Sequence, residues 1–156
     1  MDTAWPFAIA PILYLAAVTV PLTLADAREH RLPNRLVLPG YPVAVAAALL
    51  AWPIAGASPA LPLLAGAGYA AFLLLLSRAG GMGMGDVKLA GVLGLTLGMV
   101  SARSALLAPA AAFLLGGLAA AILLLGRRAN RRSRMAFGPY LLAGFWLALG
   151  AEAVIA

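Results

Sequence analysis

The sequence predicts an all-α polytopic membrane protein of about six transmembrane helices, formed as a single domain over residues 1–156. The chain is 64% hydrophobic and only 10% charged, whereas a soluble domain has about 25% charged residues. The apolar residues stand in long blocks, and a spanning helix needs about 20 mostly apolar residues. The six candidate spans are Trp5–Ala25, Leu36–Ala55, Leu61–Ser77, Val87–Val100, Ala105–Gly126 and Phe137–Ile155. The fourth is expected to begin at Val87 or earlier, within the glycine-rich stretch before it.

The first span begins near Trp5, and the preceding residues carry no basic segment of the kind found in a cleaved signal peptide, so we expect a true span. The loops then alternate in charge. The odd-numbered loops contain Arg28, Arg31, Arg35, Arg78, Lys88, Arg127, Arg128, Arg131, Arg132 and Arg134, whereas Arg103 lies in an even-numbered loop. The positive-inside rule therefore predicts cytoplasmic odd loops in the cell membrane, with both termini outside.

The charge of the chain, formally +6 at pH 7, is explained by these basic loops. No aromatic residues alternate with the basic ones, so nucleic acid is not expected as a partner. The run 127–134, "RRANRRSR", is expected to anchor the topology and to contact anionic lipid headgroups of the bilayer. Because the chain has no cysteine and one histidine, His30, we expect neither a disulfide nor a zinc site, and no cofactor.

Two of the five acidic residues stand at the ends of predicted spans. Asp26 ends the first span and Asp86 begins the fourth, so both carboxylates return to the same side at similar depth. An ionisable group at the edge of the hydrocarbon is costly and is by default a hypothesis of function. Two carboxylates brought close share a proton, so that one can activate water while the other polarises a carbonyl. This pattern is typical of an aspartic protease.

Glycines surround Asp86 on both sides. Those before it are Gly80, Gly81, Gly83 and Gly85, and those inside the fourth span are Gly91, Gly94 and Gly98. The first group leaves room for an extended peptide substrate to approach the backbone. The second group predicts a face of small residues on which a neighbouring helix packs closely.

The residues alone leave other interpretations open. Asp86 is also a favoured helix N-cap, and Asp26 is also able to pair with Arg28 or Arg31 at the interface. A small ion-coupled transporter or channel subunit would use the same aspartates as proton or cation sites, although such proteins more often show mid-membrane charges and an inverted repeat. A third alternative is an inactive scaffold that binds substrates without cutting them.

Three motifs in this order resemble those of the type IV prepilin peptidases, which are membrane aspartic proteases of the GxGD type. Residues 83–86, "GMGD", match the GxGD element. Asp26 is followed in "DAREHRLPN" by Pro33 and Asn34, which is similar to the first catalytic aspartate of the family and its downstream Pro-Asn. Residues 137–139, "FGP", are similar to the motif that opens the last helix, and the likeness covers essentially the whole chain.

The resemblance implies an aspartic endopeptidase that removes the basic leader of prepilin or pseudopilin precursors at the cytoplasmic face, cutting after a glycine. Asp26 and Asp86 would be the catalytic pair. The residues expected to shape the site or bind substrate are Gly83, Gly85, Lys88, Pro33, Asn34, Phe137, Gly138 and Pro139. Among these, Lys88 is expected to be an electrostatic neighbour of Asp86 or an anchor at the inner interface.

Larger members of the family carry an N-terminal cytoplasmic domain, often with paired CxxC motifs, and also methylate the new N-terminus of the pilin. This chain has no cysteine and no glycine-rich βα unit for S-adenosylmethionine, so N-methyltransferase activity is not expected. The compact form resembles the minimal peptidases that serve tight-adherence pili or related secretion systems.

Overall fold

The computed structural model describes residues 4–80, 82–125 and 136–155, and these residues form an all-α membrane bundle. The 3₁₀ turn Trp5–Ala8 leads into the first helix. The helices are α1 (Ile9–Glu29), α2 (Asn34–Val37), α3 (Gly40–Ala55), α4 (Ala60–Arg78), α5 (Met84–Val100), α6 (Ala102–Leu125) and α7 (Gly138–Ile155). The predicted arginine-rich lipid anchor at 127–134 and Gly81 lie outside the described residues.

Five helical segments of the described chain are long and apolar enough to cross a membrane. They are Trp5–Glu29, Asn34–Ala55, Ala60–Arg78, Ala102–Leu125 and Gly138–Ile155. The predicted fourth span is α5, which is only 17 residues long and begins at Met84 rather than Val87. The other helices surround α5, so it meets protein over most of its length, and Asp86 lies inside its first turn.

Helix α5 is the core of the bundle, and every residue from Leu89 to Val100 is buried. The predicted face of small residues explains how α4 packs along it. A methyl group built on Gly98 would lie 2.6 Å from the Cα of Pro62, and one on Gly94 would meet the carbonyl of Ala65. The third glycine of that face, Gly91, accommodates the Tyr41 side chain from α3 instead.

The connections between helices bring distant residues to one end of the bundle. Helix α1 ends at Glu29, and its C-cap His30 has a positive φ of 50°. Pro33 is extended (φ −67°, ψ 123°) and is the N-cap of α2. Pro39 then separates α2 from α3, so the predicted second span is two helices. Because the spans alternate in direction, the end of α1 lies at the same end of the bundle as the starts of α5 and α7. We call this end the aspartate end.

Candidate functional site

Asp26 lies in the last turn of α1 and points into the bundle. Its side chain is only 4% exposed, and its Oδ2 accepts a hydrogen bond of 2.8 Å from the backbone N–H of Gly138 at the start of α7. A carboxylate paired with Arg28 or Arg31 at the interface would instead face the solvent. The position of Asp26 therefore favours a buried, long-range role over an interfacial one.

Asp86 lies in the first turn of α5, three residues after the N-cap Gly83. It is 7% exposed, and its Oδ2 accepts a hydrogen bond of 3.2 Å from the Gly83 N–H. The simple N-cap interpretation is therefore wrong in position, because Asp86 is the residue that reaches back to the cap. Its second oxygen, Oδ1, is buried and has no hydrogen-bond partner among the described residues.

An unpartnered buried carboxylate oxygen is unusual, because leaving such an atom unsatisfied costs about 1–3 kcal/mol or more. The two aspartate segments meet at Leu32, because Gly85, next to Asp86, and Gly138, which bonds Asp26, both lie against that side chain. Two carboxylates in such an environment do not both ionise cheaply, so a proton shared between them is the expected arrangement. These are the electrostatic features that an acid–base pair needs.

Leu32 fills the space between the two aspartate segments. A methyl group built on Gly85 would lie 2.9 Å from Leu32 Cβ, and one built on Gly138 would lie 3.2 Å from Leu32 Cδ2. The side chain of Leu32 is 8% exposed. It therefore packs on the GxGD segment and on the start of α7 at once, and an added Cβ at either glycine would crowd it.

The polar residues Asn34 and Lys88 connect α2 to α5. The Nζ of Lys88 donates a hydrogen bond of 3.1 Å to Oδ1 of Asn34, and the Tyr41 hydroxyl donates one of 2.8 Å to the Lys88 carbonyl. A side chain on Gly91 would collide with that hydroxyl. Lys88 therefore links the start of α2 to the helix of Asp86. Its expected roles, an electrostatic neighbour of Asp86 or an anchor at the inner interface, stay predictions.

The residues of the third motif, 137–139, make contacts with two different parts of the bundle. Gly138 bonds Asp26, and a methyl group built on it would lie 2.7 Å from Asp26 Oδ2. The ring of Phe137 packs on Phe113 of α6, with centroids 5.1 Å apart. Pro139 is half-buried in the first turn of α7, where proline is favoured.

The structure therefore gathers Asp26, Asp86, Gly85, Gly138 and Leu32 at one point of the aspartate end. The predicted residues Pro33, Asn34, Lys88, Phe137 and Pro139 lie around this point, and Gly83 is exposed beside Asp86.

Sequence reasoning did not assign roles to Leu32, Tyr41 and Tyr14. The Tyr14 hydroxyl donates a hydrogen bond of 2.7 Å to the carbonyl of Leu36. The sequence signals for these residues were a leucine within a polar loop and lone tyrosines within apolar spans.

Within the described ranges, no group of three or more histidine, aspartate or glutamate residues could hold a metal ion.

A comparison with family models gives a match to the type IV leader peptidase family over residues 12–126. The matched range includes Asp26, Asp86, the Pro-Asn pair and the GMGD segment. No curated protein and no solved structure matches the chain.

Proposed function

Since this chain belongs to the type IV leader peptidase family, we propose that it is an aspartic endopeptidase that removes the basic leader of prepilin-like precursors. The observation that carries the proposal is the placement of Asp26 and Asp86. Both carboxylates are buried at the aspartate end, and Asp86 Oδ1 has no hydrogen-bond partner among the described residues. Buried carboxylates without a charged partner mark functional sites in membrane proteins.

The reaction that such a pair performs is hydrolysis of a peptide bond. The ionised carboxylate takes a proton from water, and the water oxygen attacks the carbonyl carbon while the protonated carboxyl donates to the carbonyl oxygen. The C–N bond of the tetrahedral intermediate then breaks as the first carboxyl returns its proton to the amine nitrogen. One hydroxyl of the intermediate gives its proton to the second carboxylate, so the pair regains its starting protonation and no covalent bond to the protein forms.

Each neighbour of the pair has a role in this proposal. Gly138 holds Asp26 through its backbone N–H, and Gly83 holds Asp86 in the same way. The free Oδ1 of Asp86 is the oxygen we assign to the water or to the shared proton. Leu32 excludes bulk water from the pair, which strengthens every electrostatic interaction there.

The orientation in the cell membrane follows from charge. Arg28, Arg31 and Arg35 follow Asp26, and Arg78 and Lys88 flank the GxGD segment at the same end of the bundle. The positive-inside rule then places the aspartate end in the cytoplasm. A basic leader is most stable on that side for the same reason, so substrate and site would meet there.

A cleavage assay tests the proposal. Purified protein in detergent or lipid would be incubated with a full-length prepilin-like precursor, and the loss of the leader would be followed by gel shift and mass spectrometry. We expect cleavage by the wild type and a loss of at least about 100-fold in Asp26→Asn and in Asp86→Asn. Glu29→Gln is the matched control, because Glu29 is exposed in the same helix turn as Asp26. Cleavage retained in either aspartate variant, or lost in Glu29→Gln as well, would contradict the proposed pair.

A further inference from the structure

A second hydrogen bond joins α1 to α7, farther from the aspartate end than the bond between Gly138 and Asp26. The Nε1–H of Trp146 donates to Thr19 Oγ1 at 3.1 Å. The Thr19 hydroxyl in turn donates to the Leu15 carbonyl at 2.6 Å, one turn earlier in α1. Because the hydroxyl proton is directed at Leu15, a lone pair of the same oxygen accepts from Trp146. Hydrogen bonds in such a chain strengthen one another.

The position of Trp146 makes this bond informative. Membrane proteins usually place tryptophan at the water interface, where its N–H reaches water, whereas Trp146 stands at the middle of α7. A donor at that depth must be satisfied by the protein, because leaving it unpaired in an apolar environment is costly. The buried ring of Phe145 meets the indole edge to face, with centroids 5.0 Å apart, and fixes its orientation. The Trp146 donor is therefore a specific link between two helices.

The two bonds attach α7 to α1 at two levels. Along α1, Thr19 lies seven residues before Asp26, which is about 10 Å at about 1.5 Å per residue. Along α7, Trp146 lies eight residues after Gly138, which is about 12 Å. Helical side chains lean toward the start of their helix, so the indole leans toward the aspartate end and the two spacings correspond. Two attachments fix both the height and the tilt of α7 relative to α1, which one attachment does not.

A proline lies between the two attachment points on α1. Pro21 is inside the helix and is exposed. It has no N–H to bond the carbonyl of Ala17, so α1 bends more easily at this level. The bond to Thr19 holds the part of α1 before the proline, and the bond to Asp26 holds the part after it. Helix α7 therefore spans the weak level and limits the movement of Asp26.

Helix α7 is also held by α6, on nearly the opposite face. Gly144 and Trp146 are about 200° apart around the helix, at about 100° per residue. A methyl group built on Gly144 would collide with the Ala108 carbonyl and would lie 2.8 Å from the Ala112 nitrogen. This close packing keeps α7 in the bundle when the bond to Thr19 is removed. A variant that lacks the bond therefore tests the position of α7 rather than its folding.

We propose that Trp146 and Thr19 are positioning residues for Asp26. Their hydrogen bond holds α7 against α1, so that the Gly138 N–H stays on the Asp26 carboxylate. Neither residue touches the reacting groups, and their effect reaches Asp26 through Gly138. This inference rests on the proposed peptidase function and adds to it two residues that lie outside the three motifs.

Cleavage kinetics of the full chain with a full-length precursor test this role. Trp146→Phe removes the donor and keeps an aromatic ring, and Thr19→Val removes the hydroxyl and keeps the branched shape. We expect each to lower kcat about 10-fold and to leave KM within about twofold of the wild type, because the change displaces Asp26. Thr19→Ser keeps the hydroxyl and should recover most of the lost kcat. The double variant should be no slower than the slower single variant, because both changes remove one interaction.

The chain offers a matched control for each change. Trp52→Phe alters a tryptophan that is 61% exposed on α3, and Thr96→Val removes a buried hydroxyl that donates to the Val92 carbonyl within α5. Both controls should cleave like the wild type. Wild-type kcat in Trp146→Phe, an equal loss in Thr19→Ser and Thr19→Val, or an equal loss in the controls would overturn the positioning role.

A combination with Gly138→Ala tests whether the effect passes through Gly138. In that variant the added Cβ, 2.7 Å from Asp26 Oδ2, already displaces the carboxylate. Adding Trp146→Phe should therefore lower kcat by less than about twofold, rather than by the about 10-fold expected in the wild-type background. A general loosening of the bundle would instead multiply the two losses, and that result would overturn the proposal.

The indole N–H signal of Trp146 in an NMR spectrum reports the bond itself, and its absence from Trp146→Phe assigns it. Because a hydrogen-bonded proton resonates downfield, we expect the signal to move upfield in Thr19→Val and to stay in place in Thr96→Val. An unmoved signal in Thr19→Val would overturn the proposal. If the wild type cleaves no precursor, the proposed peptidase function itself fails, and this result differs from equal cleavage by the wild type and Trp146→Phe.

Discussion

The two aspartates lie at the same end of the bundle but are held in different ways. Asp26 is fixed by a partner 112 residues away, the backbone N–H of Gly138 at the start of another helix. Asp86 is fixed by its own helix, through the N–H of Gly83 three residues before it. The position of Asp26 therefore depends on the tertiary fold, whereas that of Asp86 depends mainly on the start of α5.

The difference extends to the glycines beside them. A methyl group on Gly138 would lie 2.7 Å from the Asp26 carboxylate, whereas one on Gly83 would lie 3.5 Å from the Asp86 carboxylate, which is an ordinary contact. This difference teaches that a local motif positions Asp86, whereas a long-range contact positions Asp26. The variants below test this contrast.

The largest effect of a single added methyl group is expected at Gly138→Ala. The new Cβ would displace the Asp26 carboxylate, and a displacement of about 1 Å can reduce a rate by about 100-fold. We expect kcat to fall by about 10- to 100-fold, together with a loss of about 1–3 kcal/mol of unfolding free energy from overpacking at the Asp26 carboxylate and Leu32. Gly150→Ala on the same helix is the control, since its Cβ meets no atom within 4 Å. Full activity of Gly138→Ala would contradict the proposal that the start of α7 positions Asp26.

Removing each carboxylate should have unequal effects on stability. Asp26→Ala leaves the buried N–H of Gly138 without its acceptor, which costs about 1–3 kcal/mol of unfolding free energy. Asp86→Ala leaves the N–H of the exposed Gly83 to water, so we expect a loss below about 1 kcal/mol. Thermal unfolding in detergent measures both.

The control for this comparison is Asp26→Asn, which keeps an acceptor oxygen for Gly138 and should be more stable than Asp26→Ala. Equal losses in Asp26→Ala and Asp86→Ala would show that the two carboxylates are held alike.

The two glycines of the GMGD segment should also differ. A methyl group on Gly85 would lie 2.9 Å from Leu32 Cβ and 3.4 Å from its backbone nitrogen, and overpacking of this kind costs about 1–3 kcal/mol. Gly83 has the extended dihedrals φ −80° and ψ 151°, which alanine also adopts, so Gly83→Ala should cost under about 1 kcal/mol. The thermal midpoint and the cleavage rate should both fall more in Gly85→Ala. The reverse order would contradict the packing of Leu32.

The smallest effect is expected from the tie between α2 and α5. Lys88→Met removes the hydrogen bond to Asn34, and the loss should be about 0.5–1.5 kcal/mol. Asn34→Ala should give a similar loss, and the double variant no more than either alone, because both remove one interaction. Additive losses would show that Lys88 and Asn34 act independently.

Much of the fold follows from the sequence because membrane helices are defined by composition. Long apolar runs predicted every major helix in order, and the return of Asp26 and Asp86 to one end followed from counting spans. Helix α5 begins at Met84, inside the glycine-rich stretch that was the expected alternative to a start at Val87. The exact residue could not be predicted, because glycines of the GMGD segment weaken helix propensity while tertiary packing offsets this.

The contacts within the site could be predicted less well from the sequence. The motif at 137–139 suggested that Gly138 shapes the site, but its bond to Asp26 joins two helices distant in sequence, which no local pattern reveals. The packing of Leu32 on two glycines also depends on the arrangement of helices.

The most direct test of the central claim, that Asp26 and Asp86 act as one catalytic unit, is the cleavage rate of the double variant Asp26→Asn/Asp86→Asn beside each single variant. Residues that act together lose almost everything in either single change, so their effects do not multiply. We expect each single variant to lose at least about 100-fold and the double variant to be no slower than the slower single variant. A double variant that loses the product of the two single effects, or an active single variant, would contradict the account.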